Sequence, residues 1–312
     1  MKPVYVINGF LDSGKTEFIK FTLAQPYFRI KGNTLLVLCE EGEVEYDELL
    51  LKKTRTIIEK IENEEDFTPE RLTALEKKHK AERIIVEFNG MWNYREVKFP
   101  WYWQLEQQIT CVDASTFSMY LANMRSLATE MLRKSELVIF NRCDNVRDQL
   151  STFKRGVMAV NREAEIVFED ANGQINEMME EELPYDLNAP VMDLTDQAYC
   201  IWFMDIMDHP ERYEGKCIRF LATAFIPEKM DPGYFVPGRM VMTCCANDVT
   251  YLGYVCKYDE LEGFEPENKA WYILTCRIHR QYWEDYKGEG PVMTLLEAEK
   301  APKPKQDVIN FV

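Results

Sequence analysis

The residues best suited to chemistry sit near the N-terminus, where Gly9-Phe10-Leu11-Asp12-Ser13-Gly14-Lys15-Thr16 fits the pattern G-x-x-x-x-G-K-[ST]. The run separates an apolar strand-like segment, residues 4–7, from a segment of helical periodicity, Lys15–Ala24. That context gives the pattern physical meaning. Gly9 and Gly14 let the backbone turn so that consecutive N–H groups point at one anion. A helix starting near Lys15 adds the positive end of its dipole. The Lys15 ammonium then reaches the outer phosphates of a polyphosphate, and the Thr16 hydroxyl suits a Mg²⁺ ion beside them. Asp12 and Ser13 lie within the same turn and belong to the same nucleotide-binding set.

Three further groups extend this site. Ile84-Ile85-Val86-Glu87-Phe88-Asn89-Gly90 reads as an apolar strand ending in an acid, with a glycine three residues later. Glu87 there suits the water shell of Mg²⁺, and the Gly90 N–H can sense a terminal phosphate. Asn141-Arg142-Cys143-Asp144 closes another apolar run. A carboxylate such as Asp144 accepts two hydrogen bonds from the N–H edge of guanine. Adenine has no such donor pair and would leave the acid unpaired. Arg142 has the stem and flat head to stack along a base. A polar turn is the plainer alternative. Cys39-Glu40-Glu41-Gly42-Glu43-Val44-Glu45-Tyr46-Asp47 sets four glutamates and an aspartate near the phosphates. Asp47 is therefore a candidate for the Mg²⁺ shell, the glutamates for the lining of a switch, and Glu41 or Glu43 for handling the attacking water, although a solvated acidic loop explains the run equally well. Lys15, Glu41 and Glu87 are the candidate catalytic residues.

Parallel strands must hold these groups. Short aliphatic or β-branched runs at 4–7, 34–39, 83–87, 108–112 and 137–141 alternate with helical patterns at 15–24, 117–134 and 146–160. Continuously apolar strands alternating with helices imply an α/β fold, a mostly parallel sheet covered on both faces. Residues 47–80 are strongly charged and read as two solvated helices split at Thr68-Pro69, with Thr68 as cap and Pro69 in the first helical position. A proline-containing stretch without clear period gives domains 1–185 and 196–312, joined by a linker at 186–195. The second domain reads as one helix, 196–207, then strands at 216–226, 239–246, 251–258, 270–278 and 292–298. Five short strands with turn punctuation predict a small open barrel of the oligonucleotide/oligosaccharide-binding (OB) type.

The net charge of −16 and pI near 4.8 argue against nucleic acid and against an anionic membrane surface. No run approaches the roughly 18 apolar residues of a membrane span. The N-terminus reads as a buried strand, not a secretory leader, and the nine cysteines show no disulfide framework. The expected compartment is the cytoplasm. Cys244, Cys245 and Asp248 are the candidate ligands for a transition metal. Neighbouring strand residues point to opposite faces, so the two thiols share an ion only if the chain turns there. Buried small hydrophobes are the alternative.

GFLDSGKT, EEGEVEYD, EFNG, CVDASTF and NRCD, in that order, resemble the CobW/HypB/UreG family of P-loop GTPases, in its CobW-like branch, over about residues 3–180. The resemblance implies slow GTP hydrolysis with Mg²⁺ and delivery of a metal, often zinc, cobalt or nickel, to a client. It assigns nucleotide roles to Gly9, Ser13, Gly14, Lys15, Thr16, Glu87, Gly90, Asn141 and Asp144. Pairing of two G domains in related GTPases implies a nucleotide-dependent homodimer. The chain departs from the family in lacking its Cys-x-Cys-Cys site, since no cysteine follows Cys39 before the third strand. HPERYEGKCIRFLATAF and GRMVMTCCANDVTYLGYVCKY resemble the soluble C-terminal domain of YcgQ-type membrane proteins, over about residues 200–298. The expectation is a GTP-binding protein using Mg²⁺, with Zn²⁺ as a further ligand and a metalloprotein or metal transporter as client. The alternatives are a nucleotide-regulated binding module without metal transfer and an ATP-dependent enzyme.

Overall fold

The computed structural model describes residues 1–175, 183–242 and 248–310, and the chain divides into two compact units, Met1–Met179 and Glu180–Val312. The first unit is built on strands β1 (Lys2–Asn8), β2 (Asn33–Leu38), β3 (Thr56–Lys60), β4 (Ala81–Glu87), β5 (Trp103–Asp113), β6 (Leu137–Asn141), β7 (Glu165–Asp170) and β8 (Gly173–Gln174). They lie in the order β3-β2-β4-β1-β5-β6-β7-β8. Every pair is parallel except β7 with β8. Val4, Val6, Leu35, Leu36, Val37, Ile84, Val86, Val138 and Phe140 are almost fully buried, as strands covered on both faces require. Helices α1 (Lys15–Ala24), α2 (Glu48–Thr54), α3 (Pro69–His79), α4 (Ala114–Leu132) and α5 (Leu150–Val160) connect them.

A parallel sheet gathers the carboxyl ends of its strands on one edge, where the crevices that hold ligands form. The segments singled out above all leave strands at that edge. Residues 9–14 follow β1, 39–47 follow β2, 88–90 follow β4 and 142–144 follow β6. Residues far apart in sequence thus converge.

The charged stretch 47–80 departs from the expected pair of helices. α2 stops at Arg55, which takes a left-handed conformation (φ 51°), and Thr56-Ile57-Ile58-Glu59-Lys60 forms the edge strand β3 beside β2. Three consecutive β-branched residues favour a strand over a helix once an edge is available. The split at Thr68-Pro69 is as expected: the Thr68 hydroxyl accepts from the Arg71 N–H at 3.2 Å and Pro69 opens α3. α5 starts later than expected because short 3₁₀ turns occupy Cys143–Asn145 and Arg147–Gln149.

The second unit comprises β9 (Met192–Leu194), α6 (Asp196–Asp208), β10 (Cys217–Phe225), β11 (Tyr234–Met242), β12 (Val249–Gly253), β13 (Cys256–Lys257), β14 (Trp271–Trp283), β15 (Gly288–Ala301) and β16 (Val308–Asn310). β10, β11, β13, β15 and β14 form a ring that closes where Thr223–Phe225 pair with residues 236–238. Only the β13–β15 step of that ring is parallel. This is a five-stranded barrel of the expected kind, closed rather than open. Trp202, Tyr199, Tyr213, Phe220 and Phe235 fill its core. The segment read as a linker, 186–195, contributes β9, which pairs with β10 and buries Met192, so these residues belong to the second unit. Among the described residues, no helix is long and apolar enough to cross a membrane.

One buried acid fastens α3 to the sheet. Glu76 accepts from the Tyr102 hydroxyl at 2.8 Å and from the Trp103 indole N–H at 2.7 Å. Glu76→Ala strands that indole donor, and should lower unfolding free energy by about 1–3 kcal/mol. An unchanged urea midpoint would refute this.

Candidate nucleotide site

Residues 9–16 leave β1 with an abrupt change of direction. The Asn8 side-chain carbonyl accepts from the Gly9 N–H at 2.8 Å, and the Ser13 N–H returns to the Phe10 carbonyl at 3.2 Å. Phe10 stacks on Tyr120 of α4, with ring centroids 4.0 Å apart, which backs the loop with apolar packing. Gly14 stands at φ 94° as the cap of α1, and a side chain there would meet the Asn141 amide nitrogen at 2.4 Å. Having no side chain, Gly14 leaves the first amides of α1 uncapped and available to an anion.

The two groups expected to meet phosphate and Mg²⁺ are buried. Lys15 is 3% exposed, and its ammonium donates to the carbonyls of Gly9 (2.8 Å) and Phe10 (2.7 Å) and pairs with Glu40. The Thr16 hydroxyl donates to Glu87 Oε1 at 2.6 Å, and Tyr46 donates its hydroxyl to Glu87 Oε2. Burial pushes the Glu87 carboxyl above its ordinary range, against the hydrogen bonds from Thr16 and Tyr46 and the charge of Lys15. Burial and the same carboxylate push the Tyr46 phenol up as well. A cavity of about 280 Å³ opens beside Lys15, Thr16 and Glu87, with Asp12, Glu40 and Glu43 also on its wall.

A second cleft, of about 640 Å³, shares Gly14, Glu17 and Arg142 with the first. Phe18 and Phe21 give it an apolar side, while Asn141 and Asp144 give it polar groups. Asn141 donates its amide to the Ser13 carbonyl at 2.7 Å, tying this loop to the phosphate loop. Asp144 Oδ1 accepts from the Ala171 N–H at 3.2 Å. Arg142 takes a left-handed backbone (φ 54°) and donates to the Asp12 carbonyl at 2.8 Å and to Asp113 Oδ2 at 2.5 Å. Its guanidinium is a tether between loops in this structure, where stacking on a base was the expectation.

Two expected site residues lie elsewhere. The Asp47 carboxylate accepts from the N–H groups of Leu49 (2.6 Å) and Leu50 (3.1 Å), so it caps α2 and does not line the cavity. Glu41 pairs with Lys60 at the surface. The chain bends at Glu40 just beyond β2, and there Glu40 turns in to Lys15 while Glu41 turns out to Lys60. Gly90 does approach the phosphate loop, since a side chain there would stand 2.4 Å from the Gly9 carbonyl oxygen and 3.0 Å from the Phe10 nitrogen. Sequence reasoning gave Glu40 only a place among glutamates that could line a switch, and passed over Tyr46 and Asp113. The first two lay in the acidic run already flagged, and Asp113 ends a strand in the CVDASTF segment. Cys244 and Cys245 lie outside the described residues, and Asp248 immediately precedes β12. Cys256 is fully buried, its sulfur 3.8 Å from that of Cys276.

Amides at a helix start, a buried lysine, a hydroxyl on a carboxylate and an adjoining cleft define a P-loop nucleotide-binding domain. Residues 3–168 match the family described as CobW/HypB/UreG, nucleotide-binding domain, and the chain belongs to that family. Residues 170–309 match a second family, the DUF1980 C-terminal domain. No curated protein matches the chain significantly. Similar solved structures include the hydrogenase maturation factor HypB from Archaeoglobus fulgidus, 15% identical with a TM-score of 0.41, over 55% of this chain and 82% of that one. The Zn(II)-bound YjiA GTPase from E. coli is 15% identical with a TM-score of 0.40, over 81% of this chain and 88% of its own. HypB from Helicobacter pylori in complex with nickel is 14% identical with a TM-score of 0.35, over 54% and 80% respectively.

The approach of Gly90 generates a test. Gly90→Ala places a methyl group against backbone, which cannot swing aside, and should displace the phosphate loop. Nucleotide affinity is expected to fall roughly tenfold or more, about 1.4 kcal/mol, in a protein with unchanged far-UV circular dichroism. Equal affinity in calorimetry would show that the contact has no bearing on binding.

Proposed function

We propose that the chain binds GTP with Mg²⁺, hydrolyses it slowly, and couples nucleotide state to the handling of a metal ion for a client metalloprotein or metal transporter. The observation that carries this reading is the Thr16–Glu87 pair at 2.6 Å, set beside Lys15 in a cavity that adjoins the cleft of Asn141 and Asp144. The donor set fits Mg²⁺, since a hydroxyl and a carboxylate are hard oxygen ligands, and a buried carboxylate whose charge is disfavoured gains from a nearby cation. Thr16 and Glu87 would hold the ion, Glu87 through its water shell. Bound there, Mg²⁺ neutralises charge on the outer phosphates.

The chain's own groups divide the remaining work. Lys15 and the uncapped amides of α1 bind the phosphates. Asn141 and Arg142 fix the base-side loop against the phosphate loop through the carbonyls of Ser13 and Asp12. Asp144 is the group that would discriminate guanine, by accepting from its N–H edge. The metal in this reading is cargo, and the family resemblance supports a metal role; the CobW-type thiol site is missing from the first unit's sequence. Cys244, Cys245 and Asp248 are the candidate Zn²⁺ ligands in the second.

Competition against a fluorescent GTP analogue tests the proposal. Lys15→Ala should weaken binding by about 3 kcal/mol, on the order of a hundredfold. Asp144→Ala should erase most of the preference for GTP over ATP while leaving binding of inorganic tripolyphosphate intact. If ATP displaces the analogue from the unaltered protein as well as GTP does, the guanine assignment fails. Zinc titration completes the test: metal affinity unchanged in the double variant Cys244→Ser, Cys245→Ser removes those thiols from the proposal.

A further inference from the structure

The Lys15 ammonium donates to the carbonyls of Gly9 and Phe10 at 2.8 and 2.7 Å, and the Glu40 carboxylate is ion-paired with it. The pair is also secluded, with the Lys15 and Glu40 side chains 3% and 9% exposed. Of these three partners Glu40 alone carries charge, and it alone lies off the phosphate loop.

Other contacts hold the segment that bears Glu40. Tyr46, at its far end, bonds the Glu87 carboxylate expected to serve Mg²⁺. Between them, the Glu43 N–H lies 3.4 Å from Asp12 Oδ1, and Lys20 donates to the Glu45 carbonyl at 2.9 Å. A side chain at Gly42 would meet the Asp12 carboxylate at 3.1 Å, so the segment crosses close to the loop. The cavity wall already carries Asp12, Glu17, Glu40, Glu43 and Glu87 against Lys15 and Arg142. A polyphosphate entering beside Glu40 would meet an excess of negative charge, so it must replace that carboxylate on Lys15.

We propose that Glu40 is a built-in competitor for the phosphate site, and that Glu40 and Tyr46 make residues 40–46 a strap that the polyphosphate displaces. The ligand class is a polyphosphate anion, with or without its nucleoside. Release of Glu40 from Lys15 and of Tyr46 from Glu87 frees both ends of one segment, so occupancy of the phosphate cavity is converted into movement of the β2–α2 connection. The idea rests on the nucleotide-binding reading above and adds a residue that sets its affinity.

The test uses the full chain, inorganic tripolyphosphate and amide hydrogen exchange. Glu40→Gln should raise tripolyphosphate affinity roughly tenfold, mainly through faster association, whereas Glu45→Gln, an equal charge change on the same segment, should alter it less than about twofold. In ligand-free protein, Glu40→Gln should speed exchange across residues 42–46 severalfold. Tyr46→Phe, which removes one hydroxyl and keeps the ring, should do the same and decides the matter if Glu40→Gln fails to fold. Unchanged or weaker affinity with unchanged exchange overturns the proposal, as does an equal gain from Glu45→Gln. Failure of every form to bind tripolyphosphate or nucleotide sinks the functional reading instead, and the ligand-free exchange rates then decide the strap alone.

Discussion

A positive charge shut away from water must have negative charge beside it. Lys15 is that charge here, almost wholly buried and held by two loop carbonyls and one carboxylate. Desolvating an ammonium costs several kcal/mol, and carbonyl dipoles alone offset little of it. Here the chain itself supplies the anion, the carboxylate of Glu40. The rest of the first unit can be understood as the apparatus that holds this lysine in place.

The parallel sheet supplies the first part of that apparatus. With β1 central, its neighbours β4 and β5 bring Glu87 and Asp113 to the same edge as the phosphate loop. Asp113 then accepts from Arg142, which also holds the Asp12 carbonyl, while Asn141 holds the Ser13 carbonyl. Two successive loop carbonyls are thus anchored by one neighbouring loop. Such anchoring fixes where the amides point before a ligand arrives, which is how preorganised donors gain strength over water.

The phosphate loop, the strands that flank it and the barrel were legible because each depends on local pattern: glycine spacing, continuous apolar runs, turn residues between short strands. The misreadings share a different cause. Asp47 as an N-cap and Asp47 as a metal ligand are identical in sequence, and only the start of α2 at the next residue decides between them. Glu40 and Glu41 are adjacent and alike, yet the bend at Glu40 turns one side chain in to Lys15 and leaves the other at the surface. Thr56–Lys60 looked helical through its charged neighbours and became a strand because β2 offered an open edge. The segment 186–195 looked like a linker because β9 is only three residues long and its partner lies later in the chain.

The thiols bear on where a soft metal could bind. A thiolate ligand must lose its proton, and apolar burial opposes that loss. In the first unit burial pushes the Cys111 thiol up to about 12 and the Cys143 thiol up to about 11, and Cys39 higher still. In the second, burial pushes Cys200 up to about 12 and raises Cys256 well above its ordinary value, its neighbour Cys276 adding to the effect. These five thiols behave as small apolar side chains that fill cores. A soft metal therefore has no ready ligand among them, and any exchange of metal with a client has to use donors nearer the surface. Among the described cysteines, Cys217 is the one that is partly exposed. The first unit's chemistry, by contrast, is complete without thiols: hydroxyl, carboxylate, ammonium and amide are what a polyphosphate and its hard cation need.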